Sequence, residues 1–93
     1  LYTDFGLMTA NEEITADVNQ IFTQLTGLGR AGRLRQLLQS PFTLHPEIIA
    51  AIEREAVAAR AGQPAAIIAK MNALLEPRVI AALYEASQAG VKT

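Results

Sequence analysis

One segment of the chain matches the glycine pattern of dinucleotide-binding loops, G-x-G-x-x-G, and runs from Gly27 to Gly32. Such a loop binds a pyrophosphate when a strand leads into the first glycine and a helix starts after the last one. Here a helical pattern precedes Gly27, a strand-like segment follows Gly32, and Glu53 and Glu55 lie on a predicted helix. We therefore interpret the motif as a loop with a helix-capping glycine and not as a nucleotide site.

His45 is the only histidine, and the chain has no cysteine. A histidine pair, a histidine-rich metal site, a disulfide, a thiol nucleophile and a cysteine-type zinc site are therefore excluded within these residues. His45 stands directly before Pro46 at a predicted helix start, where side chains are exposed. We interpret it as a surface residue and not as a catalytic one, since neither a G-x-S-x-G elbow nor a P-loop accompanies it.

Arg30, Arg33 and Arg35 form a small basic cluster after the first helical pattern. Guanidinium groups bind phosphate oxygens well, so the cluster is a candidate phosphate contact. A solvated loop is the more frequent explanation of so short a basic run. Both interpretations stay open at this point.

Lys70 interrupts the short apolar run from Ala65 to Met71 near its carboxyl end, and Asn72 follows the run. If this run is a buried strand, the two polar residues lie at its carboxyl end, where open α/β sheets place ligands. An ammonium group and an amide there would suit a phosphate. The alternative is that Lys70 extends to solvent from an edge strand, and no spacing rule decides between the two.

The composition excludes other classes of protein. Eight Lys and Arg against nine Asp and Glu give a formal net charge of −1, which lacks the basic excess of nucleic-acid-binding domains. A hydrophobic fraction of 51% with 18% charged residues indicates a packed globular chain. No apolar run approaches the ~20 residues of a membrane span, and early acidic residues argue against a signal peptide. We expect one domain in a reducing, cytoplasmic compartment.

Three helices are predicted from apolar periodicity and capping residues. The first follows Asn11 and ends at Thr26 and Gly27, the second opens around Thr43 to Pro46 and ends at Gly62, and the third starts at Pro77 and ends at Gly90. The expected inward residues of the second and third helices are Ile48, Ile49, Ile52, Ala56, Ala59, Val79, Ile80, Leu83 and Tyr84.

Strands are predicted before, between and after these helices, at residues 1–9, 34–38, 65–71 and from Val91 onward. The order β-α-β-α-β-α predicts an α/β fold, because strands that alternate with helices form sheets with helical crossovers. Three helices cannot cover both faces of so incomplete a sheet, so we expect exposed apolar surface. We also expect the chain to be a piece of a longer protein, since a strand begins at its last residues.

The sequence resembles the polyphosphate kinase family over essentially its whole length. The residues that carry the resemblance include LYTDFGLMTAN at 1–11, ITADV at 14–18, SPFTL at 40–44, IERE at 52–55, ARAG at 59–62, IIAKMNAL at 67–74 and ALYEASQAGV at 82–91. No single piece is as diagnostic as a metal motif, but their combined order and spacing are specific. The resemblance therefore implies that residues 1–93 are a partial C-terminal catalytic domain with an incomplete phospholipase D-like fold.

The family resemblance also implies a reaction. In this family the terminal phosphoryl group of ATP passes reversibly through a phosphohistidine to inorganic polyphosphate, with Mg²⁺. The resemblance places the catalytic histidines and the metal-associated arginines outside this chain, and His45 matches none of them. Only Tyr2 matches a nucleotide contact of the family, for which a flat ring with a hydroxyl group is suitable. No catalytic or metal-binding residue is predicted within the chain.

The implied partners are ATP, inorganic polyphosphate and the remaining domains of a homo-oligomeric parent enzyme. We expect no tight binding of ATP or Mg²⁺ by this chain alone, since phosphoryl transfer needs metal, nucleophile and cationic groups positioned together. The alternative is a small non-catalytic helical module for protein interaction. That alternative predicts a self-contained monomer with little exposed apolar surface.

Overall fold

A computed structural model describes residues 4–27, 29 and 32–93 of the chain. Its helices are α1 (Glu12–Leu25), α2 (Leu44–Arg60) and α3 (Pro77–Ala89). The described residues form two compact units, an N-terminal unit of residues 4–39 and a helix-pair unit of residues 40–93. The three predicted helices are confirmed.

The start of α1 follows from its capping residue. The side chain of Asn11 accepts the Ile14 N–H at 3.0 Å, which satisfies one of the amides that a helix leaves without a partner in its first turn. Glu12 and Glu13 occupy that first turn, where the helix dipole favours acidic side chains. The sequence prediction of this helix start is confirmed.

In the helix-pair unit, α2 and α3 pack side by side in the same direction. Their first turns adjoin at His45 and Glu76, and the end of α3 at Gly90 lies against Ala59 near the end of α2. The core between them consists of Ile52, Ala56, Ala86 and Val91. Ile52 and Ala56 belong to α2, and Ala86 belongs to α3. The small side chains of the two alanines let the helix backbones approach closely.

Both helices of the pair end at a glycine with positive φ. Gly62 (φ +77°) and Gly90 (φ +104°) adopt the left-handed conformation, which side chains disfavour. The next residue in each case donates its N–H five residues back, Gln63 to the Ala58 carbonyl and Val91 to the Ala86 carbonyl. These are Schellman motifs, and the second one directs Val91 into the core.

The predicted α/β fold is wrong for the described residues, which form three helices and no strand. The run at 65–71 meets Val91–Thr93 in one isolated parallel bridge, between Ala66 and Lys92. The Ile67 N–H donates to the Lys92 carbonyl, the Lys92 N–H donates to the Ala65 carbonyl, and no ladder extends further. A strand needs a row of backbone partners, and an apolar run alone does not provide it.

The other two predicted strands fail for local reasons. Residues 4–10 are exposed and pair with no described strand, while residues 1–3 lie outside the described residues. In residues 34–38 the backbone N–H groups that a neighbouring strand would need are used by a side chain of α1, as described below. A strand at these residues is excluded, because N–H groups that donate to Asp17 are not available to a neighbouring strand.

Exposed apolar side chains are frequent, as expected. Examples are Met8, Ile68 and Leu75, of which Met8 and Ile68 are almost fully exposed. The inward prediction holds for Val79 and Leu83, which pack against the core, but it is wrong for Tyr84, which is 69% exposed. Tyr84 lies two residues before Ala86, the most buried residue, and so points to a different side of α3.

We predict that Gly90→Ala lowers the free energy of unfolding by about 1–2 kcal/mol, the cost of a side chain in the left-handed region. The added Cβ would lie 3.9 Å from the Ala59 Cβ, an ordinary contact, so the loss comes from the backbone conformation. Urea unfolding measures it. Gly6→Ala is the control, since Gly6 has open space and no positive φ. Equal losses in both variants would contradict this explanation.

Candidate functional site

The carboxylate of Asp17 binds the backbone of residues 35–37. The Arg35 backbone N–H donates to Asp17, with its nitrogen 3.0 Å from Oδ1 and 2.9 Å from Oδ2. The N–H groups of Gln36 and Leu37 donate to Oδ2 at 2.6 and 2.9 Å. Three consecutive amides therefore converge on one anion, an arrangement that binds carboxylate or phosphate oxygens in proteins.

Asp17 is the only buried charged residue among those described, with 3% of its surface exposed. Burial raises the pKa of its carboxyl group, but the three backbone N–H groups, helped by the charge of Arg35, lower it more. The net result is a pKa below the usual value of 3.8. The carboxylate is therefore ionised at neutral pH and holds the turn through charge-assisted hydrogen bonds.

Two further contacts attach the same segment to α1. The Gly32 N–H donates to Gln20 Oε1 at 2.9 Å, and the Gln36 side-chain amide donates to Glu13 Oε2. Together with Asp17, these contacts fix residues 32–37 from both ends. We call this segment the clamped loop.

Arg33 and Arg35 lie on the clamped loop and are exposed. Both residues line an open cavity of about 450 Å³ beside α1, and its other lining residues are Glu12, Glu13, Ala16, Asp17, Gln20 and Gly32. The third arginine of the predicted basic cluster, Arg30, lies outside the described residues. So do two other positions of the glycine motif, Leu28 and Ala31, while Gly27 directly follows the turn that ends α1.

A second polar contact joins the starts of α2 and α3. His45 Nε2 lies 3.0 Å from Glu76 Oε2, and the same oxygen accepts the Val79 N–H at 2.7 Å as the cap of α3. His45 is half-buried, with 37% of its side chain exposed, so it is less open than predicted. It lines an open cavity of about 420 Å³ with Glu53, Arg78 and Glu85.

The Val79 N–H lowers the pKa of Glu76 most. Partial burial opposes that effect, and the hydrogen bond from His45 lowers the pKa further, so the pKa lies below its usual value of 4.5. The carboxylate thus caps α3 in its charged form. We interpret the arrangement as structural, since the same carboxylate oxygen caps α3 and contacts His45.

The other residues that the sequence singles out are Tyr2, Lys70 and Asn72. Tyr2 lies outside the described residues, so its predicted ATP contact stays a prediction. Lys70 and Asn72 are exposed on an irregular segment. The argument that placed them at the carboxyl end of a strand is therefore wrong. Among the described residues, no group of three or more His, Cys, Asp or Glu side chains could hold a metal ion.

Sequence reasoning missed Asp17. The available signal is its position, three residues after Ile14 and four before Ile21, on the apolar face of α1. An acidic residue that is buried on an apolar face needs hydrogen-bond donors, and the backbone N–H groups of the loop that follows α1 are the nearest candidates in the sequence.

Comparison with known proteins identifies the class of this chain. The family profile described as polyphosphate kinase C-terminal domain 2 matches residues 37–93. Over 92 residues this chain is 65%, 63% and 67% identical to the polyphosphate kinases of Paraburkholderia phytofirmans, Neisseria gonorrhoeae and Burkholderia multivorans, respectively. The chain belongs to the polyphosphate kinase family, and the predicted resemblance is confirmed.

The matched region is a small part of these relatives. It covers 99% of this chain and 13% of each relative's length. No solved structure matches the chain. No helix among the described residues is long and apolar enough to cross a membrane.

We predict that Asp17→Asn releases the clamped loop, because an amide carries no charge and offers one acceptor oxygen to three N–H donors. Trypsin should then cleave after Arg33 and Arg35 at least several-fold faster, which mass spectrometry of a digestion time course measures. Asp4→Asn is the matched control, at an exposed aspartate that precedes α1. Equal cleavage rates in both variants would disprove the clamp.

We predict that Glu76 contributes to stability above pH 4.5 and that this contribution disappears as the pH falls through its lowered pKa. The sign follows because a carboxyl group with a depressed folded-state pKa binds its proton more readily in the unfolded chain. Glu76→Gln should therefore be less stable at pH 7 and should lose less stability between pH 7 and pH 3. Thermal unfolding at both values tests this, with Glu85→Gln on the same helix as control. Parallel pH profiles of wild type and Glu76→Gln would contradict it.

Proposed function

We propose that this chain is part of an enzyme that reversibly transfers the terminal phosphoryl group of ATP to inorganic polyphosphate through a phosphohistidine. Identity of 63–67% over 92 residues with three proteins named polyphosphate kinase carries the proposal. In this proposal the catalytic histidines belong to other parts of a longer, homo-oligomeric protein. The reaction takes place in the cytoplasm, where ATP is available.

In this proposal the described residues give structural support to the site, and the catalytic centre lies elsewhere in the enzyme. The chain has one histidine, His45, and its imidazole faces the carboxylate that caps α3. A nucleophile must instead face a phosphoryl group in line with its leaving group. We therefore assign His45 a structural role in the helix pair.

Mg²⁺ does not fit the described residues, because they contain no cluster of acidic or histidine ligands. Mg²⁺ prefers several oxygen ligands in octahedral geometry. No step involving the metal is therefore assigned to this chain. For ATP, Tyr2 is the proposed contact, through stacking of its ring and a hydrogen bond from its hydroxyl group.

The alternative of a self-contained interaction module is not favoured. It predicts little exposed apolar surface, whereas Phe5, Met8, Ile68 and Leu75 are each more than three-quarters exposed. Such surface is typical of a chain that packs against further protein. We propose that the remaining domains of the enzyme are that protein.

A chimera tests the proposed function directly. The segment of the Burkholderia multivorans polyphosphate kinase that matches this chain is replaced by residues 1–93, since the two are 67% identical. We predict polyphosphate synthesis from ATP within a few-fold of the unmodified enzyme. A folded chimera without synthesis, beside an active unmodified enzyme, would refute the proposal.

In the same chimera we predict that Tyr2→Ala reduces kcat/KM for ATP at least several-fold, because the ring and hydroxyl contacts are both lost. Tyr2→Phe retains the ring and should lose less. Tyr84→Ala is the matched control, since Tyr84 is 69% exposed on α3. Unchanged ATP kinetics in Tyr2→Ala would remove Tyr2 from the site.

A further inference from the structure

We propose that Arg33 and Arg35 of the clamped loop bind phosphate groups of the inorganic polyphosphate chain, and that Asp17 is the positioning residue of this subsite. The proposal rests on the proposed function and adds to it the place where this segment meets the substrate. Its basis is a loop whose backbone is held by α1 and whose two arginines line one cavity.

The backbone of the clamped loop is held in one conformation by side chains of α1. Asp17 accepts three consecutive backbone N–H groups, and Gln20 and Glu13 hold Gly32 and Gln36. A purely solvated surface loop has no such contacts with a buried carboxylate. Fixing the backbone in advance reduces the entropy that a ligand must overcome when it orders the arginines.

Neither arginine of the clamped loop forms an ion pair with a described residue. No carboxylate of the described residues lies within 4.0 Å of the guanidinium nitrogens of Arg33 or Arg35. Three carboxylates also line the cavity. Asp17 and Glu13 accept hydrogen bonds from the clamped loop, the charge of Arg35 acts on Asp17, and Glu12 lies in the first turn of α1, where the helix dipole favours an acidic side chain. Arg33 and Arg35 are the two cations of this lining and are the residues that an anion would contact.

Phosphate is the kind of anion that these residues favour. Guanidinium groups suit phosphate oxygens, which they bind in a bidentate manner. Of the described residues, those that line this cavity include no aromatic side chain on which a nucleobase could stack. A chain of phosphates without a nucleoside therefore fits better than ATP or ADP. The volume of about 450 Å³ lies within the range of small-molecule sites.

The test uses the chimera in the direction that forms ATP from ADP and polyphosphate. The double variant Arg33→Gln, Arg35→Gln should raise KM for polyphosphate about tenfold, since charge-assisted hydrogen bonds are lost. KM for ADP should stay unchanged. The matched control is Arg54→Gln, Arg60→Gln, which removes two exposed arginines from α2 and should change neither constant.

Asp17→Asn distinguishes a positioned pair from mere surface charge, because it leaves both arginines in place. It should raise KM for polyphosphate in the same direction as the double variant. With an active chimera, an unchanged polyphosphate KM in the double variant would overturn this subsite and leave the proposed function intact. An equal rise of both KM values would also overturn it, in favour of a nucleotide contact. An inactive chimera would refute the proposed function itself.

Discussion

Three backbone amides of residues 35–37 point at one place, and the buried carboxylate of Asp17 occupies it. This contact decides the conformation of the N-terminal unit after α1. It excludes a strand at 34–38, because the same N–H groups cannot also donate to a neighbouring strand. It also sets the position of Arg33 and Arg35, the exposed cations of the clamped loop. A buried carboxylate with three N–H donors is stabilised where it lies, whereas the same buried carboxylate without donors would be strongly unfavourable.

In the helix-pair unit the corresponding constraint is the parallel packing of α2 and α3. Two parallel helices require a connection that returns along their length, and residues 61–76 form it. The Ala66 N–H donates to Glu55 Oε2 at 3.2 Å, and Ala66 forms the single bridge with Lys92, so the returning segment is attached at its start. Beyond that point Ile68 and Leu75 are exposed. This exposed apolar segment agrees with a chain that spans 13% of the length of its relatives.

The helices could be predicted from sequence because their signals are local. Asn11, Pro77 and Gly90 mark helix ends through their own side chains or backbone freedom, and each marks the end that was predicted. The strands could not be predicted in the same way, because a strand exists only where another segment supplies its hydrogen bonds. For the candidate site, Arg33 and Arg35 were visible as a basic cluster, but the role of Asp17 depends on contacts 18 to 20 residues away. Family membership was recognisable from the combined motifs, although the sheet inferred alongside it is absent from the described residues.

Hydrogen–deuterium exchange of the chimera, with and without polyphosphate, tests the central claim that Asp17 holds a preformed phosphate-binding loop. The claim predicts slow exchange of the amides at residues 35–37 before polyphosphate is added, since each donates to a buried carboxylate. It predicts further slowing in residues 32–37 when polyphosphate is added, and no change there with ADP. Rapid exchange of these amides without ligand, or equal protection by ADP, would contradict it.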